Sequence, residues 1–184
     1  MQTSGGTKQK LSVHSFTRIA LVTAVICILA PLAMPIGPVP ISLATLAIYL
    51  GLYLLSWKEA TLSCMVYILL GAVGLPVFSA FTGGAAKLVG PTGGYILGYL
   101  PMAVVGGFAI SRTRNPLFQF LGLAAGTAVL YALGTAWFCY VTKATFAAGL
   151  SGCVLPFIPG DLVKIAAAMV LGPQLKRKIS KISA

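Results

Sequence analysis

Five stretches of this chain carry no lysine, arginine, aspartate or glutamate: Ile19 to Trp57, Ala60 to Ala86, Leu88 to Ser111, Asn115 to Thr142 and Ala144 to Gly160. A soluble domain cannot leave such runs uncharged, because its wet surface needs roughly 25% charged residues. Here only 8% of the 184 residues are charged. A helix crosses a bilayer with roughly 20 apolar residues, and most of these runs supply that length, so the chain reads as a membrane protein.

The first run is too long for one helix. It is divided by "PLAMPIGPVP", Pro31 to Pro40, where repeated prolines remove backbone donors and clash with the preceding turn. Six candidate spans result, at about 16–33, 41–56, 59–76, 93–111, 116–141 and 158–175. A transmembrane barrel would show period-two alternation in segments of roughly 10 residues, and runs such as "AIYLGLYLL" (Ala47 to Leu55) do not alternate. The expected fold class is therefore all-α, a polytopic membrane protein with six transmembrane helices. It divides into a polar lead-in (1–15), a six-helix membrane domain (16–175) and a basic tail (176–184). The lead-in lacks the charged, apolar and small-residue regions of a cleaved secretory signal.

Basic residues orient this plan. Six spans put Lys8, Lys10, Arg18, Lys58, Arg112, Arg114, Lys176, Arg177, Lys178 and Lys181 on one side and only Lys87, Lys143 and Lys164 on the other. That asymmetry places both termini in the cytoplasm. It also accounts for the formal charge of +11 as a topology signal, and nucleic acid is not an expected partner. Catalysis is not expected either. The only acids, Glu59 and Asp161, fall at opposite membrane faces, which rules out paired-carboxylate chemistry. His14 lies before the first span, far from Asp161, so no Ser-His-acid triad forms. No phosphate-binding Gly-x-x-x-x-Gly-Lys-Ser/Thr loop occurs. Cys27, Cys64, Cys139 and Cys153 show no metal-ligand spacing, so no metal or cofactor is expected. The cysteines read as buried thiols, with a Cys139–Cys153 disulfide as the alternative.

Binding remains. In "FIPGDLVKIAAAM", Asp161 and Lys164 stand three apart and share a helix face. One reading makes Asp161 an N-cap with Lys164 paired to it. The other follows from the cost of ionisable groups in a span, which usually face a cavity: an acid beside a base offers an acceptor and a donor to a neutral, urea-like group. The stretch "GLPVFSAFTGGAAKLVGPTGGY" (Gly74 to Tyr95) gathers Ser79, Thr82, Lys87 and Thr92 on the same outer side. Glycines there let backbone amides approach a ligand, and the helix start near Thr92 has unpaired N–H groups that favour an anion. The same stretch also reads as a re-entrant turn that only caps a helix.

"PVPISLATL" (Pro38 to Leu46), "LLGAVGLPVF" (Leu69 to Phe78), the Gly83-Gly84 pair, "LVGPTGGYILGY" (Leu88 to Tyr99) and "IPGDLVK" (Ile158 to Lys164) occur in that order. Together they resemble the BioY family, the biotin-specific substrate-binding (S) components of bacterial energy-coupling-factor (ECF) transporters. The resemblance runs from the first span to the last, and Gly-Pro-Thr-Gly-Gly-Tyr is its most specific part. Ala44 departs from it, since the family pattern often has glutamine there, so any contact of that glutamine does not carry over.

The resemblance implies a multi-pass protein of the bacterial plasma membrane that binds biotin from outside. Energy would come from a transmembrane coupling subunit and two ABC-type ATPase subunits. It implies that the ureido ring meets Asp161 and Lys164, and that the carboxylate meets Lys87 and the Thr92-Gly93-Gly94 backbone, with Phe78, Ser79 and Tyr95 beside the ligand. The reversed pose, carboxylate on Lys164, stays open. It further implies docking to the coupling subunit through small residues of the first helix, here Ala20 and Ala24, although Ala124 and Ala128 have the same spacing. The "GPVP" connection (Gly37 to Pro40) would be a lid. An S-component or free-standing facilitator for another small vitamin, and a purely structural membrane subunit, are the alternatives.

Overall fold

Away from water, each backbone N–H and C=O must find a partner inside its own segment, and a helix does this with local bonds alone. The computed structural model of the chain describes residues 13–35 and 39–182, and helices dominate it. In order they are α1 (Val13–Leu29), α2 (Ala44–Leu54), α3 (Trp57–Ala72), α4 (Ala85–Val89), α5 (Gly93–Arg112), α6 (Pro116–Thr142), α7 (Phe146–Cys153) and α8 (Phe157–Ile182). Two short strands, β1 (Ala33–Met34) and β2 (Ile41–Ser42), pair antiparallel between α1 and α2. A single 3-10 turn (Ser79–Phe81) lies between α3 and α4.

Each of the six predicted spans falls on a helix: α1, α2, α3, α5, α6 and α8 in turn. By length and apolarity, α5 and α6 are each able to cross a bilayer, and α7 with α8, bent by 49° at their junction, make a third candidate. The α2 helix has 11 residues, about 16 Å at 1.5 Å per residue, or half of a roughly 30 Å hydrocarbon core.

Three local features differ from the expectation. The proline-rich segment does more than interrupt a helix: Ala33 pairs with Ser42 and Met34 with Ile41, and Met34, which precedes Pro35, is biased toward extended backbone by the proline ring. Ser42 then starts α2 by accepting the Ala44 N–H on its Oγ at 2.8 Å. The α7 helix was not expected; Lys143 ends α6 in the left-handed region (φ 59°), and Thr145 reopens a helix by accepting the Ala148 N–H at 3.3 Å. Finally, α8 continues past residue 175 through the basic residues to Ile182. Elsewhere the local chemistry sets the boundaries. Ser56 and Glu59 form a reciprocal capping box at α3, and Asn115 caps α6 just before Pro116 at its first position.

The α2 helix lies at the centre, packed against α8, α5, α1 and α3. Eight of its 11 residues are buried, Ala44, Thr45, Ala47, Ile48, Tyr49, Gly51, Leu52 and Tyr53, as expected of a helix apolar on every side. The α5 and α6 helices approach closely over glycines. A Cβ on Gly126 would lie 2.9 Å from the Met102 carbonyl oxygen, and one on Gly134 would lie 2.3 Å from the Tyr95 ring. Packing of this kind, with few side-chain atoms between backbones, is how helices associate where no hydrophobic force distinguishes neighbour from lipid. Polar pairs join other helices: Thr23 with Ser63 at 2.9 Å, and Tyr49 with Thr127 at 2.6 Å. The four cysteines are free thiols.

Overpacking a close contact that involves backbone costs about 1–3 kcal/mol. Gly126→Val should therefore lower the melting temperature of the detergent-purified protein. Gly160→Ala should not, since a Cβ there meets nothing within 4 Å. Equal melting of both variants would show that the α5–α6 spacing is not limited by Gly126.

Candidate functional site

Asp161 and Lys164 sit one turn apart in the first half of α8, with side chains only 8% and 11% exposed. Asp161 does not cap the helix. The helix begins at Phe157, one turn earlier, with Pro159 in the first turn, where a missing N–H costs no bond. The Lys164 Nζ donates to Asp161 Oδ1 at 2.9 Å, to the Ser42 carbonyl at 2.8 Å and to Thr45 Oγ1 at 3.2 Å. Asp161 Oδ1 also accepts from the Thr45 hydroxyl at 3.1 Å, and Oδ2 accepts from the Tyr131 hydroxyl at 2.6 Å. Lys164 thus has partners from β2, α2 and α8, and Asp161 has partners from α2, α6 and α8.

The reason is energetic. A charge taken out of water costs several kcal/mol, which is offset only when geometry is good and the remaining lone pairs and protons are also bonded. Among the described residues, no buried side-chain nitrogen or oxygen lacks a partner.

The pair opens on a narrow cavity with about 50 Å³ of free space. Tyr95 and Tyr99 of α5, Leu130 and Tyr131 of α6, and Phe157 of α8 form its walls, and Ser42 and Thr45 lie beside the pair. Tyr95 is itself held by Thr135, at 3.0 Å between hydroxyls. The chemistry is that of a polar point in an aromatic enclosure: one carboxylate, one ammonium and flat apolar faces.

A second, open cleft of about 500 Å³ is lined by Thr82, Gly83, Ala86, Lys87, Gly90, Pro91 and Thr92. The two cavities meet the same helix. Thr92, Tyr95 and Tyr99 follow at i, i+3 and i+7, on one side of α5. Of the residues singled out from the sequence, Asp161, Lys164 and Tyr95 line the first cavity, while Lys87 and Thr92 line the second.

Others have packing environments. Gly93 and Gly94 are buried; a Cβ on Gly93 would lie 1.6 Å from the Leu88 carbonyl oxygen, and one on Gly94 would lie 2.2 Å from Trp137 Cβ. Trp137 also donates its indole N–H to the Gly90 carbonyl at 3.0 Å, so the Gly-Pro-Thr-Gly-Gly turn is clamped against α6. Phe78 is fully buried, edge-on to Tyr67 with centroids 5.6 Å apart. Ser79 is half-buried in the 3-10 turn, where the next residue, Ala80, donates its N–H to the Pro31 carbonyl at 3.0 Å. Ala20 and Ala24 are exposed on α1, opposite its buried Ile19, Val22, Thr23 and Ile26. Of the expected lid, Gly37 and Pro38 lie outside the described residues, as do Lys8 and Lys10.

Thr45, Ser42, Tyr99 and Tyr131 escaped the sequence reading as cavity residues. Their one signal was a hydroxyl within an otherwise apolar run. That signal is shared by Thr127 and Thr135, whose hydroxyls bond Tyr49 and Tyr95 of neighbouring helices.

The BioY family profile matches residues 4–181, and the chain belongs to that family. It is 34% identical to the protein named biotin transporter BioY2 of Lactococcus lactis subsp. cremoris, over 94% of this chain and 95% of that one. It is 35% identical to the biotin transporter BioY of Thermotoga maritima, over 87% and 94% respectively. Among solved structures it is similar to the S-component for biotin from an ECF-type ABC transporter. The TM-score is 0.83 and the identity 31%, covering 94% of this chain and 95% of that one.

A hydrogen bond to a charged group contributes about 1.5–3 kcal/mol. Tyr131→Phe, which removes the donor to Asp161 Oδ2, should accordingly lower the melting temperature of the ligand-free protein. Tyr140→Phe, on the exposed face of α6, should leave it unchanged. If the two variants melt alike, the Tyr131 hydroxyl does not help to hold the buried carboxylate.

Proposed function

We propose that this chain captures biotin from the outer side of a bacterial plasma membrane, as the high-affinity S-component of an ECF-type vitamin uptake transporter. The observation that carries the reading is the buried Asp161–Lys164 pair within a tyrosine-walled cavity, in a member of the BioY family. Biotin has a neutral ureido ring, an apolar thioether ring and a carboxylate tail. The ureido N–H suits the acid, and the ureido carbonyl suits the ammonium. Tyr95 and its neighbours offer ring faces to the bicyclic body.

The tail extends along α5. Thr92 and Tyr99 are seven residues apart, roughly 10 Å along the helix, which a short carboxylate chain can bridge. Lys87 then meets the carboxylate, assisted by Thr92 and by the backbone N–H of Gly94 at the helix start, whereas the Gly93 N–H, expected from the sequence to be open, is already donated to the Gly90 carbonyl at 3.0 Å. Phe78 and Ser79 support this end from the connection between α3 and α4.

In the membrane, α1, α3, α5, α6 and α8 cross as helices and the short α2 crosses together with the extended residues on either side of it, six crossings with both termini in the cytoplasm. The excess of lysine and arginine on the side of Arg18, Lys58, Arg112, Arg114 and the C-terminal segment supports this orientation. Energy comes from a transmembrane coupling subunit and two ABC-type ATPase subunits, with Ala20 and Ala24 on the contact face. This chain is the binding member and does not act as an enzyme.

Calorimetric titration of the detergent-purified protein should show saturable biotin binding that thiamine and riboflavin do not displace. Asp161→Asn and Lys164→Ala should each leave a folded protein with binding weakened at least a hundredfold. Removing one partner of a buried charge pair costs about 3–5 kcal/mol, and every 1.4 kcal/mol is tenfold. Absence of binding by the parent, or parent-like binding by both variants, would reject this reading of the site.

Docking is tested separately. Replacing both Ala20 and Ala24 by leucine should leave biotin affinity unchanged, while co-purification with the coupling subunit and ATP-dependent uptake into proteoliposomes both fall. Normal uptake would show that this face touches only lipid.

A further inference from the structure

The ammonium of the acid–base pair is already saturated by the protein, and the carboxylate is nearly so. Lys164 has three N–H donors, and each has an acceptor: Ser42 carbonyl, Thr45 Oγ1 and Asp161 Oδ1. Asp161 Oδ1 takes two donors and Oδ2 takes Tyr131, and the adjoining cavity has only about 50 Å³ free. One lone-pair site, on Oδ2, stays open, but a ligand that accepts from the ammonium or donates to Oδ1 has to exchange with a bond that exists.

The bonds are not equally replaceable. The Ser42 carbonyl is held by the β1–β2 pairing. The Asp161–Lys164 contact joins two full charges at 2.9 Å, and the Tyr131 bond is short at 2.6 Å. Thr45 makes the two longest contacts, 3.1 Å and 3.2 Å. It is neutral, and a threonine in a helix has two accessible χ1 wells because its hydroxyl can turn back to the chain. Its pattern is also distinctive. The hydroxyl gives its proton to Asp161 and takes one from Lys164, the pairing of a donor with an acceptor that one N–H and the carbonyl of a ureido group present.

We infer that the Thr45 hydroxyl is a built-in placeholder for the ligand's ureido group: it occupies the recognition bonds when the site is empty and yields both on binding. The inference rests on the biotin reading of this site and adds a determinant of affinity to it. While the site is empty, the placeholder spares the pair the cost of unmet hydrogen bonds. On binding, that same stabilisation is subtracted from the affinity. Selectivity follows as well, since a ligand with only a donor or only an acceptor replaces half of what the hydroxyl supplied.

The sign of one substitution decides the matter. Thr45→Ala should lower the melting temperature of the ligand-free protein and yet bind biotin tighter in calorimetry, on the order of 10- to 100-fold, the worth of one hydrogen bond to a charged group no longer displaced. Thr45→Ser, which restores the hydroxyl without the methyl, should return both readouts toward the parent. Weaker or unchanged biotin binding by Thr45→Ala, in a parent that binds, overturns the placeholder alone, because the hydroxyl then contributes to the complex or to neither state. Equal tightening by Thr45→Ser and Thr45→Ala also overturns it, since vacated space rather than the hydroxyl would be responsible. A parent that binds no biotin removes the functional reading and the placeholder together.

Discussion

An aspartate and a lysine held together in an otherwise apolar helical interior set the terms for everything around them. Placing two ions in a low-dielectric interior is unfavourable by several kcal/mol each, and their mutual attraction offsets this only if every other lone pair and proton is also bonded. Thr45, Tyr131 and the Ser42 carbonyl supply those bonds. They come from α2, α6 and the β1–β2 hairpin, so the requirements of one ion pair draw four elements to a single point. A purely apolar junction would tolerate small slips of one helix past another; a set of directional bonds does not.

Close helix approach is the second condition. The hydroxyl of Tyr131 and the rings of Tyr95 and Tyr99 reach one cavity because α5 and α6 pack backbone to backbone over Gly126 and Gly134. The glycines of the connection between α4 and α5 act in the same way. Gly93 fits against the Leu88 carbonyl and Gly94 against Trp137, while the Trp137 indole holds Gly90. That clamp fixes the start of α5 and with it the line of Thr92, Tyr95 and Tyr99 connecting the two cavities.

Much of this was legible beforehand. The charge-free runs located six helices because apolar length is a requirement of the bilayer and does not depend on neighbours. Asp161 and Lys164 stood out for a related reason: an ionisable residue is conspicuous in an apolar run, and i, i+3 spacing puts two of them on one face whatever the surroundings. The hairpin at Ala33–Met34 and Ile41–Ser42 was not legible, since two-residue strands carry no periodicity. Nor was α7, whose start depends on Lys143 adopting a left-handed conformation and on Thr145 capping.

The sequence by itself determined an apolar helical chain suited to a membrane, its family through ordered motifs, and the one acid–base pair it places within an apolar run. These are properties of composition and local spacing. Only the tertiary structure decided which hydroxyls satisfy that pair, that Gly93 and Gly94 are filled by packing neighbours, and that Lys87 and Asp161 line separate cavities along one helix. Thr45 and Asp161 are 116 positions apart, and a serine, threonine or tyrosine in an apolar run looks the same whether it faces a cavity or another helix. Hydrogen bonds across such a separation are set by how helices pack, which no local pattern encodes.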